Sequence, residues 1–185
     1  MLAGDWVPAN PREIDFNALP RIPSQHAVVG DVLGAGGHRV NQHNYLVHFG
    51  GRFWAMWSDG PGESRGPGKV PGHDRAGQHV SFATSPDGLK WGAIGNLTGA
   101  PDAGYGWIAR GFWIREGRLL ALASRYQAPG YQGEGLSLQA FELVSGAAEP
   151  PRWKHLGLVF DDALNNFSPA RLPNGLTAVI FVHAT

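Results

Sequence analysis

The chain of 185 residues contains no cysteine, so neither disulfide bonds nor thiolate metal sites are available to it. It has no excess charge of either sign, since 15 basic residues balance 15 acidic ones, and this argues against binding to nucleic acid or membrane through bulk charge. No apolar run approaches the roughly 18 residues of a membrane span. The start, residues 1–6, lacks the basic segment and apolar core of a signal peptide, so we leave localisation open and expect secretion or a periplasmic location only if the N-terminus is incomplete.

Glycine and proline are abundant instead, and together they make up about a fifth of the chain. The chain also contains seven tryptophans and nine phenylalanines. Turn residues and aromatics at this level are typical of proteins built from short strands joined by tight turns. The composition therefore predicts a single all-β domain.

Apolar and alternating segments separated by glycine turns predict two sets of four strands. Gly50-Gly51 joins two strands of the first set, and Glu116-Gly117 joins two strands of the second. The predicted strands are 44–49, 52–58, 79–84 and 90–94, then 107–114, 118–125, 136–144 and 154–160. A third set begins with 168–172 and 176–183, and one more strand is predicted at 27–33, as a plain edge strand or as the strand that completes a last repeat.

The hairpin turns recur at Gly51, Gly117 and Gly175, with spacings of 66 and 58 residues. The segments 51–58 and 117–124 share Gly, Arg, Ala and Ser at the same places. Four strands in each repeat of roughly 60 residues are the signature of β-propeller blades. We therefore predict an all-β fold, a β-propeller with four-stranded antiparallel blades, and the alternative is two unrelated meanders in a β-sandwich.

The predicted propeller assigns all of 1–185 to one partial domain, which comprises an N-terminal extension (1–37), a blade (38–97), a second blade (107–160) and the start of a third (167–185). Propellers close with about four to eight blades. We therefore expect about two and a half blades here, from a propeller of six or seven. The sequence ends within an apolar strand whose open edge is an aggregation hazard, so we expect truncation or a frame shift near Thr185.

The turn at 85–91, Ser-Pro-Asp-Gly-Leu-Lys-Trp, has a residue order that predicts more than a hairpin. Ser85, Asp87, Gly88 and Trp91 fit the pattern called the Asp box. In this pattern the carboxylate accepts hydrogen bonds from the N–H groups of the turn, and the Trp packs beneath it. The motif is structural, and it resembles the turn between the third and fourth strands of a blade in sialidase-like β-propellers.

In a propeller, the loops that lead into the first strand of each blade share one face with the loops between the second and third strands. The richest such segment is 38–45, which holds two imidazoles, an Arg, two carboxamides and a phenol. Histidine suits proton transfer near neutral pH. We predict His43 and Tyr45 as catalytic residues, and a structural, hydrogen-bonded histidine is the alternative for His43.

Polar and aromatic residues on the same predicted face are candidates for substrate binding. Arginine suits bidentate binding of carboxylates, and tryptophan stacks on sugar rings. The predicted substrate-binding residues are His38, Arg39, Asn41, Trp57, Asp59, Arg65, His73, Arg110, Arg125 and Asn166. Solvated loops and core packing are the alternatives for the charged residues and for Trp57. The histidines and carboxylates match no standard metal motif, so we predict no metal and no cofactor.

The chain resembles the sialidase-like, Asp-box propellers of carbohydrate-active enzymes over about residues 26–176. The segments that carry the resemblance are 42–47, 51–61, 85–91 and 165–173. In overall style it is similar to propeller α-L-rhamnosidases and ulvan lyases, which act on uronate-containing polysaccharides. This resemblance implies an acid/base role for His43 and carboxylate binding by Arg110 and Arg125. The Arg triad and Tyr–Glu pair of true sialidases are not complete, because Arg21-Ile22-Pro23 follows a proline and falls in a predicted loop.

Three functions follow from these observations. The first is a glycoside hydrolase of the sialidase-superfamily type acting on an acidic glycan. Hydrolysis usually needs two carboxylates beside the bond, and the sequence offers no convincing pair. The alternatives are a polysaccharide lyase acting on a uronate-containing glycan, and a non-catalytic propeller that binds a glycan or a protein. We expect an oligo- or polysaccharide as the partner, with neither nucleic acid nor membrane, and we leave the oligomeric state open.

Overall fold

The described residues of the protein form β-strands and turns. The computed structural model describes residues 10–15, 17–18, 21, 23–31, 40–63, 67, 72–129, 136–145, 150–161, 163–165, 170–172, 177–178 and 181–183. Within these ranges there is no α-helix, and the two helical turns, Pro11–Glu13 and Gly72–Asp74, are of the 3₁₀ type. No helix in this part of the chain is long and apolar enough to cross a membrane. The all-β class predicted from the composition is confirmed.

Two four-stranded antiparallel sheets contain most of the strands, and both are simple meanders in which chain order equals sheet order. The first sheet comprises β1 (Val40–Phe49), β2 (Arg52–Gly60), β3 (His79–Ser85) and β4 (Gly95–Asn96). The second comprises β5 (Tyr105–Arg115), β6 (Arg118–Gln127), β7 (Ser137–Leu143) and β8 (Trp153–Asp161). The predicted four-stranded antiparallel units are confirmed.

The hairpin turns predicted at Gly50-Gly51 and Glu116-Gly117 are present, and their backbone φ values explain why glycine occurs in them. Gly50 and Gly51 have φ values of 59° and 73°, and Glu116 and Gly117 have φ values of 50° and 73°. Left-handed conformations at both central residues match the right-handed twist of the flanking strands. Glycine adopts this conformation without steric cost.

Two predicted strands are wrong. Of the segment 27–33, the described part 27–31 is not a strand, and Val29 packs against the buried cluster of Ala55, Trp57 and Ala83 instead of joining a ladder. The segment 90–94 is not a strand either, because N–H groups in it bond within the turn: Lys90 donates to Asp87, and Gly92 donates to the Thr84 carbonyl. The strand predicted at 52–58 is longer than expected, since β2 continues to Gly60.

The third set of strands is only partly as predicted. β10 (Ala170–Arg171) pairs with β11 (Thr177–Ala178), and the turn predicted at Gly175 lies outside the described residues. β12 (Phe181–His183) pairs instead with β9 (Ala163–Asn165), a strand that was not predicted. The described residues thus form two sheets and two short ladders, and they do not form a closed propeller.

One apolar core joins the two sheets. It includes buried residues of both: Trp54, Met56, Val80, Phe82, Leu97, Trp107, Ala109, Phe112, Leu119, Ala121, Ala123 and Phe141. Trp153 packs edge-on against Trp54 and Phe82, with ring centroids 5.9 Å and 5.8 Å apart. Burial of this apolar surface brings β1 and β5, the first strands of the two sheets, into contact. That contact positions the candidate site.

Candidate functional site

β1 and β5 each contain a β-bulge. In β1 the register shifts between Gln42 and Tyr45, and His43 within the bulge has a φ of 53°. In β5 the register shifts between Ala109 and Gly111, which places Arg110 in the bulge. Bulges are frequent beside active sites, where they redirect a side chain, and a non-glycine residue with positive φ is uncommon. His43 and Arg110 therefore lie at the positions in β1 and β5 where a bulge changes the direction of the side chain.

A serine on the second strand of each sheet hydrogen-bonds to the bulge residue of the first strand. Ser58 Oγ lies 3.2 Å from His43 Nδ1 and accepts the Ala109 N–H at 2.9 Å. Ser124 Oγ accepts a hydrogen bond from Arg110 Nε at 3.0 Å. Both serines are fully buried. Ser58 is the last residue of the repeated segment that begins at Gly51, and Ser124 is the last residue of the one that begins at Gly117. The internal repeat therefore places the same hydroxyl beside each bulge.

The candidate site is the cluster of His43, Tyr45 and Arg110, called the His43 cluster below. It combines one buried cation with two uncharged side chains. Burial lowers the pKa of His43 to about 4, and the nearby Arg110 and His73 add to this effect. Burial raises the pKa of Tyr45, and Arg110 opposes that rise in part. At neutral pH the imidazole is therefore deprotonated and the phenol is protonated. Arg110 keeps its charge although it is only 3% exposed.

The loop between β2 and β3 brings His73 towards this cluster. Tyr126, which is fully buried, donates a hydrogen bond to the Arg75 carbonyl at 2.7 Å and lies 3.3 Å from the His73 carbonyl. Gly106 faces the Tyr126 ring, where an added Cβ would overlap it. The second sheet therefore holds this loop of the first sheet in place.

Asp59 and Asn41 lie at the same end of the first sheet, opposite each other in the ladder between β1 and β2. Asp59 is 8% exposed and accepts a hydrogen bond from Ser81 Oγ at 3.0 Å. His79 Nε2 is 3.9 Å from the same carboxylate. Asp59 directly follows Ser58, and because successive side chains of a strand point to opposite faces of the sheet, its carboxylate lies on the face of Ser81 and Trp57 and points away from His43.

Two other predicted substrate-binding residues have structural surroundings. Trp57 is 4% exposed and packs with Ala55 and Ala83, a burial that fits a core role rather than stacking on a sugar. Arg125 Nη2 donates to Asp102 at 2.7 Å, and its guanidinium lies 3.6 Å from the centre of the Tyr105 ring. Carboxylate binding by Arg125 would have to compete with that ion pair.

The remaining predicted residues, His38, Arg39, Arg65 and Asn166, lie outside the described part of the chain. Sequence reasoning missed Ser58, Ser124 and Tyr126. The first two had a detectable signal, because the same serine recurs in both repeats. Across the described ranges, no three His, Asp or Glu side chains form a group that could hold a metal ion.

The turn that follows β3 is held by its own side chains. Asp87 Oδ1 accepts the N–H groups of Leu89 and Lys90 at 2.9 Å and 2.8 Å, and these bonds, that of Lys90 first, lower the pKa of Asp87. Ser85 Oγ accepts the Gly88 N–H at 2.8 Å, and Trp91 Nε1 donates to the Gly88 carbonyl at 3.0 Å. These hydrogen bonds lie within the turn itself, and its identity as an Asp box stays a prediction. The turn lies at the opposite end of β3 from the Asp59 pairing.

Comparisons with known proteins add little to this description. No protein-family model matches the chain, and no curated protein matches it. A solved structure named "Sialidase" is similar to it with a TM-score of 0.46 and 17% sequence identity. The similarity covers 65% of this chain and 12% of that one, so the chain spans only a small part of that protein. We therefore base the description of the fold on the two sheets themselves.

Proposed function

We propose that this chain is part of a carbohydrate-active enzyme that acts on an acidic glycan at the bulged region of β1 and β5. The observation that carries the proposal is the position of Arg110, a buried cation beside the uncharged His43 and Tyr45. A guanidinium binds a carboxylate through two parallel hydrogen bonds, and burial strengthens that interaction. Uncharged donors beside it suit the hydroxyl groups of a sugar.

We propose that the two sheets are blades of a larger propeller. The repeat at Gly51 and Gly117, the meander order of both sheets and the contact between β1 and β5 support this. In such an arrangement the first strands line a central channel. His43, Tyr45 and Arg110 then lie on channel-lining strands, as a substrate site requires.

Glycoside hydrolysis is the first reaction that we propose for this site. It requires carboxylic groups on both sides of the glycosidic bond. Asp59 is a buried carboxylate of the first sheet, but it follows Ser58 in β2 and so points to the opposite face of the sheet from His43. Both carboxylates would therefore come from another part of a larger propeller.

Elimination is the second candidate, and the set of Arg110, His43 and Tyr45 favours it. In this reaction a base removes the proton from the carbon next to a uronate carboxylate. The bond to the leaving oxygen breaks, a double bond forms in the sugar, and the leaving oxygen takes up a proton. Arg110 would neutralise the carboxylate while negative charge develops on it. The unprotonated imidazole of His43 would accept the proton, and the protonated phenol of Tyr45 would give one to the leaving oxygen.

The test is incubation of the protein with uronate-containing oligosaccharides and with their methyl esters. New reducing ends without an unsaturated product indicate hydrolysis, and the ultraviolet absorbance of an unsaturated uronate indicates elimination. Arg110→Met should weaken binding of the acid by about 10- to 100-fold and affect the ester much less. Arg115→Met, a change at an exposed arginine over Trp113, is the matched control.

Two results would contradict the proposal. Equal effects of Arg110→Met on the acid and on its ester would show that Arg110 does not bind the carboxylate. Binding of an acidic glycan without any turnover would leave a non-catalytic glycan-binding protein, the third function predicted from the sequence.

A further inference from the structure

We infer that Ser58 holds His43 in one tautomer, with the ring proton on Nε2, and so makes His43 a hydrogen-bond donor to the bound ligand. Ser58 thereby acts as a positioning residue for the candidate site. The tautomer itself follows from the geometry of the protein. Only the identity of the ligand, an acidic glycan, rests on the proposed function.

The argument begins with the hydrogen bonds of the Ser58 hydroxyl. Ser58 is 0% exposed, so its single hydrogen has no access to bulk water and needs an acceptor within the protein. The oxygen already accepts the backbone N–H of Ala109 at 2.9 Å. Within the described part of the chain, the other side-chain contact at hydrogen-bonding distance is His43 Nδ1 at 3.2 Å. The hydroxyl therefore donates to Nδ1.

The protonation state of the imidazole follows from this bond. A neutral imidazole carries one proton, and a nitrogen that accepts a hydrogen bond cannot carry it. With Nδ1 as the acceptor, the proton lies on Nε2. Protonation of Nδ1 would leave the buried Ser58 hydrogen without its acceptor, which costs free energy. This cost acts in the same direction as burial, Arg110 and His73, which together lower the pKa of His43 to about 4.

Ser58 also links the two sheets at this point. It belongs to β2, it bonds to His43 in the bulge of β1, and it accepts the N–H of Ala109, the residue before Arg110 in β5. Its equivalent Ser124 instead accepts a hydrogen bond from Arg110 Nε. The two serines therefore fix an imidazole donor and a guanidinium relative to one another.

This assignment changes the role of His43 in the reaction. A neutral imidazole with Nε2–H donates a hydrogen bond and stabilises negative charge on a ligand oxygen. It does not take a proton from the ligand at Nε2. His43 would then join Arg110 in binding the carboxylate. Tyr45, whose phenol is protonated at neutral pH because burial raises its pKa, could give a proton to the leaving oxygen but could not accept one. The base of an elimination would then be another group.

The experiment is ¹⁵N NMR of the histidine rings in the wild-type protein at pH 7, with His43→Asn to assign the signals of His43. We expect Nδ1 to show the shift of an unprotonated nitrogen and Nε2 that of a protonated one. Ser58→Ala should shift both signals towards a mixture of tautomers, and Ser124→Ala should leave them unchanged. A wild-type ring protonated on Nδ1, or signals unaffected by Ser58→Ala, would overturn the inference.

A binding measurement separates this inference from the proposed function. Ser58→Ala should weaken binding of a uronate-containing oligosaccharide by about three- to tenfold, the effect of one misplaced hydrogen bond. If the predicted tautomer is observed and no acidic oligosaccharide binds to the wild type, the proposed function fails alone. If the oligosaccharide binds and the proton is on Nδ1, the inference fails alone. The wild-type spectrum decides the tautomer even if a variant does not fold.

Discussion

A change from pH 7 to pH 5 is expected to destabilise the protein through His43. Burial, together with the nearby Arg110 and His73, lowers the pKa of this residue from 6.5 to about 4 in the folded state. In the unfolded chain the imidazole has its ordinary pKa, so between pH 6.5 and pH 4 the unfolded state binds more protons than the folded state. The free energy of unfolding that depends on neutral His43 is therefore fully present above pH 6.5 and is lost as the pH falls towards 4.

The size of the effect follows from the shift. For a group fully shielded from water, proton linkage gives a loss of about 2 kcal/mol at pH 5. The side chain of His43 is partly exposed, and solvent screening reduces the loss. We therefore expect the free energy of unfolding to fall by about 1 to 2 kcal/mol between pH 7 and pH 5 through this residue.

The assay is urea unfolding at pH 7, 6 and 5 of the wild type and of His43→Asn. Asparagine tolerates the left-handed conformation of this bulge and does not titrate in this range. The other histidines, in a chain with eight in all, are the same in both proteins, so their contributions cancel in the difference. Equal losses of stability in the two proteins would refute the argument, because the folded state would then protonate His43 as easily as the unfolded state does.

Three further tests of the geometry compare the stabilities of variants in urea unfolding. His43→Gly should be more stable than His43→Ala by about 1 kcal/mol, because a left-handed φ is costly for alanine, and equal stabilities would argue against the bulge. Gly106→Ala should lose about 1 to 3 kcal/mol by overlap with the Tyr126 ring, while Gly92→Ala, where an added Cβ meets only ordinary contacts, should change stability by less than about 0.5 kcal/mol. Tyr126→Phe should lose about 1 to 2 kcal/mol and speed hydrogen exchange around Gly72–Asp74, and unchanged exchange there would show that the phenol does not hold this loop.

The strands and hairpins could be predicted from the sequence because their causes are local. Alternation of apolar and polar residues determines which side chains point to one face of a strand, and glycines such as Gly51 and Gly117 allow the left-handed turns. The contacts of Asp87 within its turn join residues at most three positions apart. The strand predicted at 27–33 was wrong over its described part because Val29 packs against a buried cluster and joins no ladder. The strand predicted at 90–94 was wrong because backbone N–H groups there bond within the turn.

The sequence by itself determined the all-β class and the repeat of four-stranded units, and it indicated the segment around His43 as a candidate site. Only the tertiary structure brought the other residues of that candidate site together. Ser58 and the Ala109 N–H are 51 positions apart, and they meet only because apolar faces of both sheets share one core. Trp57 is buried in a separate cluster with Ala55 and Ala83, and Arg125 forms an ion pair with Asp102. Such contacts depend on how sheets pack over long sequence separations, and neither periodicity nor local propensity carries that information.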